Sequence, residues 1–206
     1  MRISEHERKK MLRDVETRLK ALSIKPASFD QLVMAERAEQ ARLLCHEAYR
    51  LYDRRLGRDD EEAVWKKASA LFRQATDEAY PPGFWESFAK LKKGDSRGVE
   101  AAITFLEKDP WFFGSGYVKA DLLRFVRKHP LSNDDAQRLR AVVLAAVKLR
   151  DRREFKYYCR VARFVDSPEF QTDLEALSRH PDADVQRRAR WVISATSQKN
   201  SSDSQN

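Results

Sequence analysis

The sequence predicts an all-α protein whose C-terminal half, at least, is an α-solenoid-like array of stacked helical hairpins. Apolar residues recur at spacings of three and four from end to end, the mark of helices with one buried face, and strand-like alternation is nearly absent. Six glycines and seven prolines in 206 residues, beside 35% charged and 42% apolar residues, suit long surface helices better than turn-rich sheets. Three later stretches resemble one another. A chain of this length buries a real core without disulfide or metal staples.

The elements follow in order. Met11, Val15, Leu19 and Leu22 form a first apolar stripe, broken at Pro26, with Ser28 as the expected N-cap of a second helix and Gln31 three residues on. Ala41, Leu44, Ala48 and Leu51 make a narrow seam that should stop at Leu56-Gly57, with Asp59 expected to cap a third helix carrying Val64, Ala68, Leu71 and Ala75. The second and third helices read as an antiparallel hairpin. Tyr80-Pro81-Pro82-Gly83 then marks a boundary within the fold, dividing a long-helix region (1–79) from a region of shorter helices (83–195).

In that second region, Phe84, Phe88 and Leu91 mark a helix ended by Gly94. Val99, Ala102, Ile103 and Leu106 mark the next, ended at Lys108-Asp109-Pro110. Val118, Leu122 and Phe125 define a helix that stops at His129-Pro130, and Leu139, Val142, Val143 and Ala146 a longer one that opens between Ser132 and Asp135. Segments 152–165, 168–179 and 182–195 complete the helices, and the polar composition of 196–206 predicts a disordered tail.

Leu122-Leu123-Arg124-Phe125-Val126, Val161-Ala162-Arg163-Phe164-Val165 and Arg188-Ala189-Arg190-Trp191-Val192 share the order small or apolar, Arg, aromatic, Val. Asp182-Ala183-Asp184-Val185-Gln186-Arg187-Arg188-Ala189 resembles the second helix of a HEAT repeat. Leu91-Lys92-Lys93-Gly94-Asp95 with Ala101-Ala102-Ile103 and Lys108-Asp109-Pro110 resembles a tetratricopeptide unit. The resemblance spans about residues 83 to 195 and departs from both families in repeat length; HEAT-like is the preferred reading. It implies an extended surface formed by helices at equivalent positions, on which Arg124, Arg163 and Arg190 would stand together. Some HEAT-like proteins are DNA glycosylases, which the basic helices and Trp191 resemble, although no catalytic carboxylate carries over.

Charge is concentrated. Residues 119 to 163 hold thirteen Lys and Arg against five Asp and Glu, a surplus of +8 that equals the net charge of the whole chain. At about 100° per residue, Arg153, Lys156, Arg160 and Arg163 fall within about 80° of one another, opposite Phe155, Tyr158, Ala162 and Val165. Such a stripe, flanked by Tyr157 and Phe164, suits an acidic protein surface or phosphate. The expected function is a non-enzymatic scaffold that binds a protein partner through Arg124, Arg153, Lys156, Arg160, Arg163 and Arg190. The rival is a nucleic-acid-binding protein that uses the same face.

Other chemistry finds little support. Cys45 and Cys159 suggest neither a disulfide framework nor a zinc motif, and Cys45-His46 are adjacent on a helix, so no metal or cofactor is expected. His129 and His180, each before a proline, should cap carbonyls at helix ends. The stretch 111–117, Trp-Phe-Phe-Gly-Ser-Gly-Tyr, reads as an aromatic plug at a hairpin junction; its Gly-Ser-Gly turn could hold an anion but lacks a nucleotide-loop pattern. The N-terminus lacks a signal-peptide core and no run of about 18 apolar residues occurs, so a cytoplasmic protein without membrane association is expected.

Overall fold

A computed structural model describes residues 4–52, 58–149 and 154–203. Within them the protein is all-α: ten α-helices and one 3₁₀ turn, with no strand among the described residues. The helices are α1 (Glu5–Leu22), α2 (Gln31–Leu51), α3 (Asp59–Glu78), α4 (Phe84–Lys92), α5 (Val99–Lys108), α6 (Ser115–Val126), α7 (Asn133–Leu149), α8 (Phe155–Ala162), α9 (Pro168–Leu177) and α10 (Ala183–Asp203). The chain divides into two compact units, Met1–Pro82 with Pro110–Phe113, and Gly83–Asp109 with Gly114–Asn206.

The first unit is built on α2 and α3, which pack on each other more extensively than any other pair, with α1 laid against both. Small residues make this close seam possible: Ala41, Ala48, Ala68 and Ala75 are fully buried between Leu44, Leu51, Val64 and Leu71. The first stripe follows its expected course at Val15 and Leu19, with Leu22 half-buried, and departs from it only at its start. Leu12, Val15 and Leu19 face the core, while Met11 is exposed. The N-caps differ too. Asp30, not Ser28, caps α2, its carboxylate accepting from the amides of Leu32 (2.9 Å) and Val33 (3.1 Å). Asp59 lies inside α3 as the first of four acids in its opening turn, where the helix dipole favours them. α2 ends at Leu51 with Tyr52 as its extended C-cap, short of the expected stop at Leu56-Gly57, which itself lies outside the described residues.

Polar side chains tie this unit's helix ends together. Gln31 Nε2 donates to the Ala79 carbonyl at 2.7 Å, and Arg37 donates to the Leu22 carbonyl (3.0 Å) and to Glu78 (2.6 Å). Of the aromatics at 111–113 only Phe112 is a plug, buried edge-on against Tyr80 at 5.0 Å; Trp111 and Phe113 are exposed.

In the second unit α4, α6, α8 and α10 each pack on the next in that order, as do α5, α7 and α9. The buried side chains of α4 and α5 are those expected from their spacing. Gly94 ends α4 in the left-handed conformation (φ 88°), which glycine adopts without steric cost. Ser132 and Asp135 form the capping box that opens α7, and Ser167 caps α9 ahead of Pro168. The core face of α6 is Ser115, Lys119, Leu122, Leu123 and Val126; Val118 and Phe125 are only half-buried. In α7, Val147 rather than Ala146 completes the buried stripe. The last helix continues to Asp203, past the expected end near Ala195 and into the tail expected to be disordered.

Candidate binding surface

The three Arg-aromatic stretches fall on α6, the end of α8, and α10, consecutive neighbours in one series of the second unit. Arg124 is exposed on α6, paired with Asp121 at 3.1 Å, with its guanidinium 4.8 Å from the Phe125 ring centre. Lys156 and Arg160 are exposed on α8 and both lie over the Tyr157 ring, at 5.2 and 5.3 Å. Arg163 is half-buried at the C-cap of α8. Arg190 is exposed on α10, where it donates to Gln186 at 3.4 Å. Arg153 lies outside the described residues, as do Arg150 and Arg152. The apolar arc expected opposite the stripe, Phe155, Tyr158, Ala162 and Val165, is buried throughout.

Three further cations stack on rings in the same helices, and sequence reading did not single them out. Lys128 lies 5.3 Å from Phe125, Arg187 lies 5.3 Å from Trp191, and Arg127 lies 5.6 Å from Phe164. The first two have a legible signal, a cation three or four residues from an aromatic, within α10 for Arg187 and in the turn just past α6 for Lys128. The third joins α6 to the end of α8 and has none. Two of these rings are well exposed, Phe164 at 52% and Trp191 at 42%. Each cation held over an aromatic face contributes about 0.5–1 kcal/mol in an exposed setting and keeps both groups oriented.

Not every cation of the basic stretch is available. Lys119 is fully buried, its ammonium ion-paired with Asp109 at the end of α5. Arg138 is clamped by Glu100 (2.6 Å) and Glu107 (2.8 Å) of α5. Its hydrogen bonds hold both carboxyls below the usual glutamate range. The surplus read from the sequence therefore overstates the free positive charge between 119 and 163.

The Gly-Ser-Gly turn already has a carboxylate beside it. Glu154, itself buried, approaches Gly116 so closely that a Cβ there would meet its Oε2 at 3.1 Å. An external anion would compete with this internal one. His129 is buried with its Nε2 3.0 Å from the Leu91 carbonyl in the last turn of α4, and the His180 Nδ1 accepts from the Asp182 amide at 3.1 Å. The first caps a carbonyl as expected; the second accepts rather than donates. Asp109 adopts a left-handed backbone (φ 42°) as it ends α5.

Cys45 and Cys159 form no disulfide with each other. Among the described residues no group of three or more His, Cys, Asp or Glu could hold a metal ion, and no helix is long and apolar enough to cross a membrane. No family model matches the chain, and no curated protein or solved structure matches it.

Proposed function

We propose that the second unit is a HEAT-like helical-repeat scaffold that binds single-stranded nucleic acid across α6, α8 and α10. The two interleaved series of helix contacts support the repeat reading, because each helix packs both on a sequence neighbour and on the next but one. The observation that carries the partner is the succession of cations over rings: Arg124 and Lys128 at Phe125, Lys156 and Arg160 at Tyr157, Arg187 at Trp191; Arg124 and Arg187 also make exposed pairs with Asp121 and Asp184, which a phosphate would have to displace. Single strands are bound by that combination, guanidinium and ammonium groups on the phosphates and aromatic faces under the bases. Phosphate binding is also favoured by the counterions it releases. The role is binding without chemistry.

A protein partner on the same face is the second reading, favoured by the exposure of Phe164 and Trp191, large side chains of the kind that anchor protein interfaces. Fluorescence-anisotropy titration with single-stranded and duplex DNA and RNA across a salt series separates the two. Affinity for single strands that falls linearly on a log-log salt plot supports the nucleic-acid reading. No binding at physiological salt, by protein with an intact helical circular-dichroism spectrum, removes it and directs the search to protein partners.

A further inference from the structure

Between the end of α6, the start of α7 and the segment after α8 lies an open cleft of about 340 Å³. Two arginines line it, Arg127 and Arg140. Several arginines of this protein are neutralised by carboxylates, as Arg37, Arg42, Arg97 and Arg138 are. Arg127 and Arg140 form no ion pair among the described residues. Arg140 donates to the Val165 carbonyl at 3.1 Å, which fixes its guanidinium without cancelling its charge. Arg127 is more conspicuous, because its Nε is buried and has no hydrogen-bond acceptor. A buried donor without an acceptor costs about 1–3 kcal/mol, and its persistence in a cleft calls for a ligand that supplies one.

The other walls suit an anion. Ser132 and Asn133 stand at the N-terminus of the 17-residue α7. The capping box engages the amides of Ser132 and Asp135 and leaves those of Asn133 and Asp134 as orphan donors of the helix start. Asp166 also lines the cleft, its carboxylate accepting from Gln171; nearby, Glu169 is held below the usual glutamate range by its own amide, by Ser167 and by the Arg140 charge, and Asp134 and Asp135 stand in the first turn of α7, so the site's selectivity rests on directed donors and not on a surplus of positive charge. Phe164 lies on the rim beneath the Arg127 guanidinium.

We infer that this cleft is a phosphate-monoester site, with Arg127 and Arg140 as its two charged ligands and the α7 amides as its neutral donors. A tetrahedral dianion matches two guanidinium groups and a helix N-terminus better than a monovalent carboxylate does. The source is either a free nucleotide or the phosphorylated end of a strand. The site stands whether or not the α8–α10 face binds nucleic acid.

The test uses the full chain and Arg127→Leu. Arg127→Leu removes a buried Nε that has no acceptor but also the stack on Phe164, two opposing effects of similar size, so the melting temperature in phosphate-free buffer is expected to change by no more than a few degrees. The wild type should melt several degrees higher with millimolar inorganic phosphate or AMP, and Arg127→Leu should lose that rise. A short oligonucleotide with a 5′-phosphate should bind the wild type about tenfold tighter than its 5′-hydroxyl form if the strand end is the source. If only AMP and phosphate respond, the source is a free nucleotide. Equal phosphate-induced shifts in wild type and variant, or no shift in either, would overturn the site. Arg127→Lys, which keeps the charge but loses the fork, should retain a fraction of the shift.

Discussion

Lys119 is a cation with its whole side chain inside the protein, and Asp109 is its ion-pair partner. Bringing an ammonium out of water is unfavourable by several kcal/mol, so the position tolerates lysine only while the pair is intact. Lys119→Met keeps the length and the apolar stem but leaves Asp109, which is partly exposed, without that counter-charge. Because the carboxylate left behind reaches solvent, the expected outcome is a loss of about 1 kcal/mol, seen as a lower urea midpoint with an unchanged slope. A midpoint equal to the wild type would mean that the pair contributes nothing beyond what a methionine supplies. The same scale of argument applies to Arg188, buried on α10 with its Nε donating to the Val147 carbonyl of α7 at 2.7 Å. In both cases a basic residue that reads as surface charge is a tie between helices.

At the scale of elements, helix contacts are set by the smallest side chains. Gly98 precedes α5 where the chain crosses α4, and a Cβ there would lie 2.4 Å from the Ser87 carbonyl oxygen and 2.6 Å from the Leu91 amide nitrogen. Those atoms are backbone and cannot rotate away. Gly98→Ala should therefore destabilise the second unit by about 2 kcal/mol through overpacking, measured by denaturant unfolding. A stability within about 0.5 kcal/mol of the wild type would show that the two helices can separate at this point without cost.

The tie between α5 and α7 is ionic and responds to pH. Because hydrogen bonds from Arg138 lower the pKa of Glu100 and Glu107, the contribution of the pairs is fully present above the unfolded-state value near 4.5 and is lost as the pH falls through the lowered folded-state values. Glu100 is largely exposed, so the whole contribution stays below about 1 kcal/mol. Arg138→Ala should melt about 2 °C below the wild type at pH 7, and the difference should shrink as the pH falls below about 4.5. A difference that does not shrink on acidification would assign the effect to packing of the arginine stem.

For the whole molecule, the placement of free charge matters more than its sum. Lys156, Arg160 and Arg190 are exposed and form no carboxylate pair among the described residues. If they bind phosphates, replacing all three with glutamate should flatten the log-log salt plot by about three, one for each phosphate no longer neutralised, and weaken binding equally for all sequences. An unchanged slope would place the phosphate-binding cations elsewhere.

What the sequence determined is the helical class and most buried faces, because a period of 3.6 residues is a local property that apolar spacing records directly. Ala41 to Leu51, Val64 to Ala75 and Phe84 to Leu106 are legible for that reason, as is the cap at Ser132. Phase was less legible where a polar residue belongs to the core: α6 turns Lys119 inward, where Asp109 receives its ammonium, and buries Ser115 on the same face, and no spacing rule assigns a lysine to an interior. Choice among nearby caps was also undecided, since Ser28 and Asp30 are both capable and only the backbone path selects one. Tertiary structure alone decided which cations are neutralised, set Arg127 against Phe164 across nearly forty positions of sequence, and brought Arg127 and Arg140 to one cleft. Charge is written residue by residue, but its availability depends on the distance to the nearest carboxylate, and folding sets that distance.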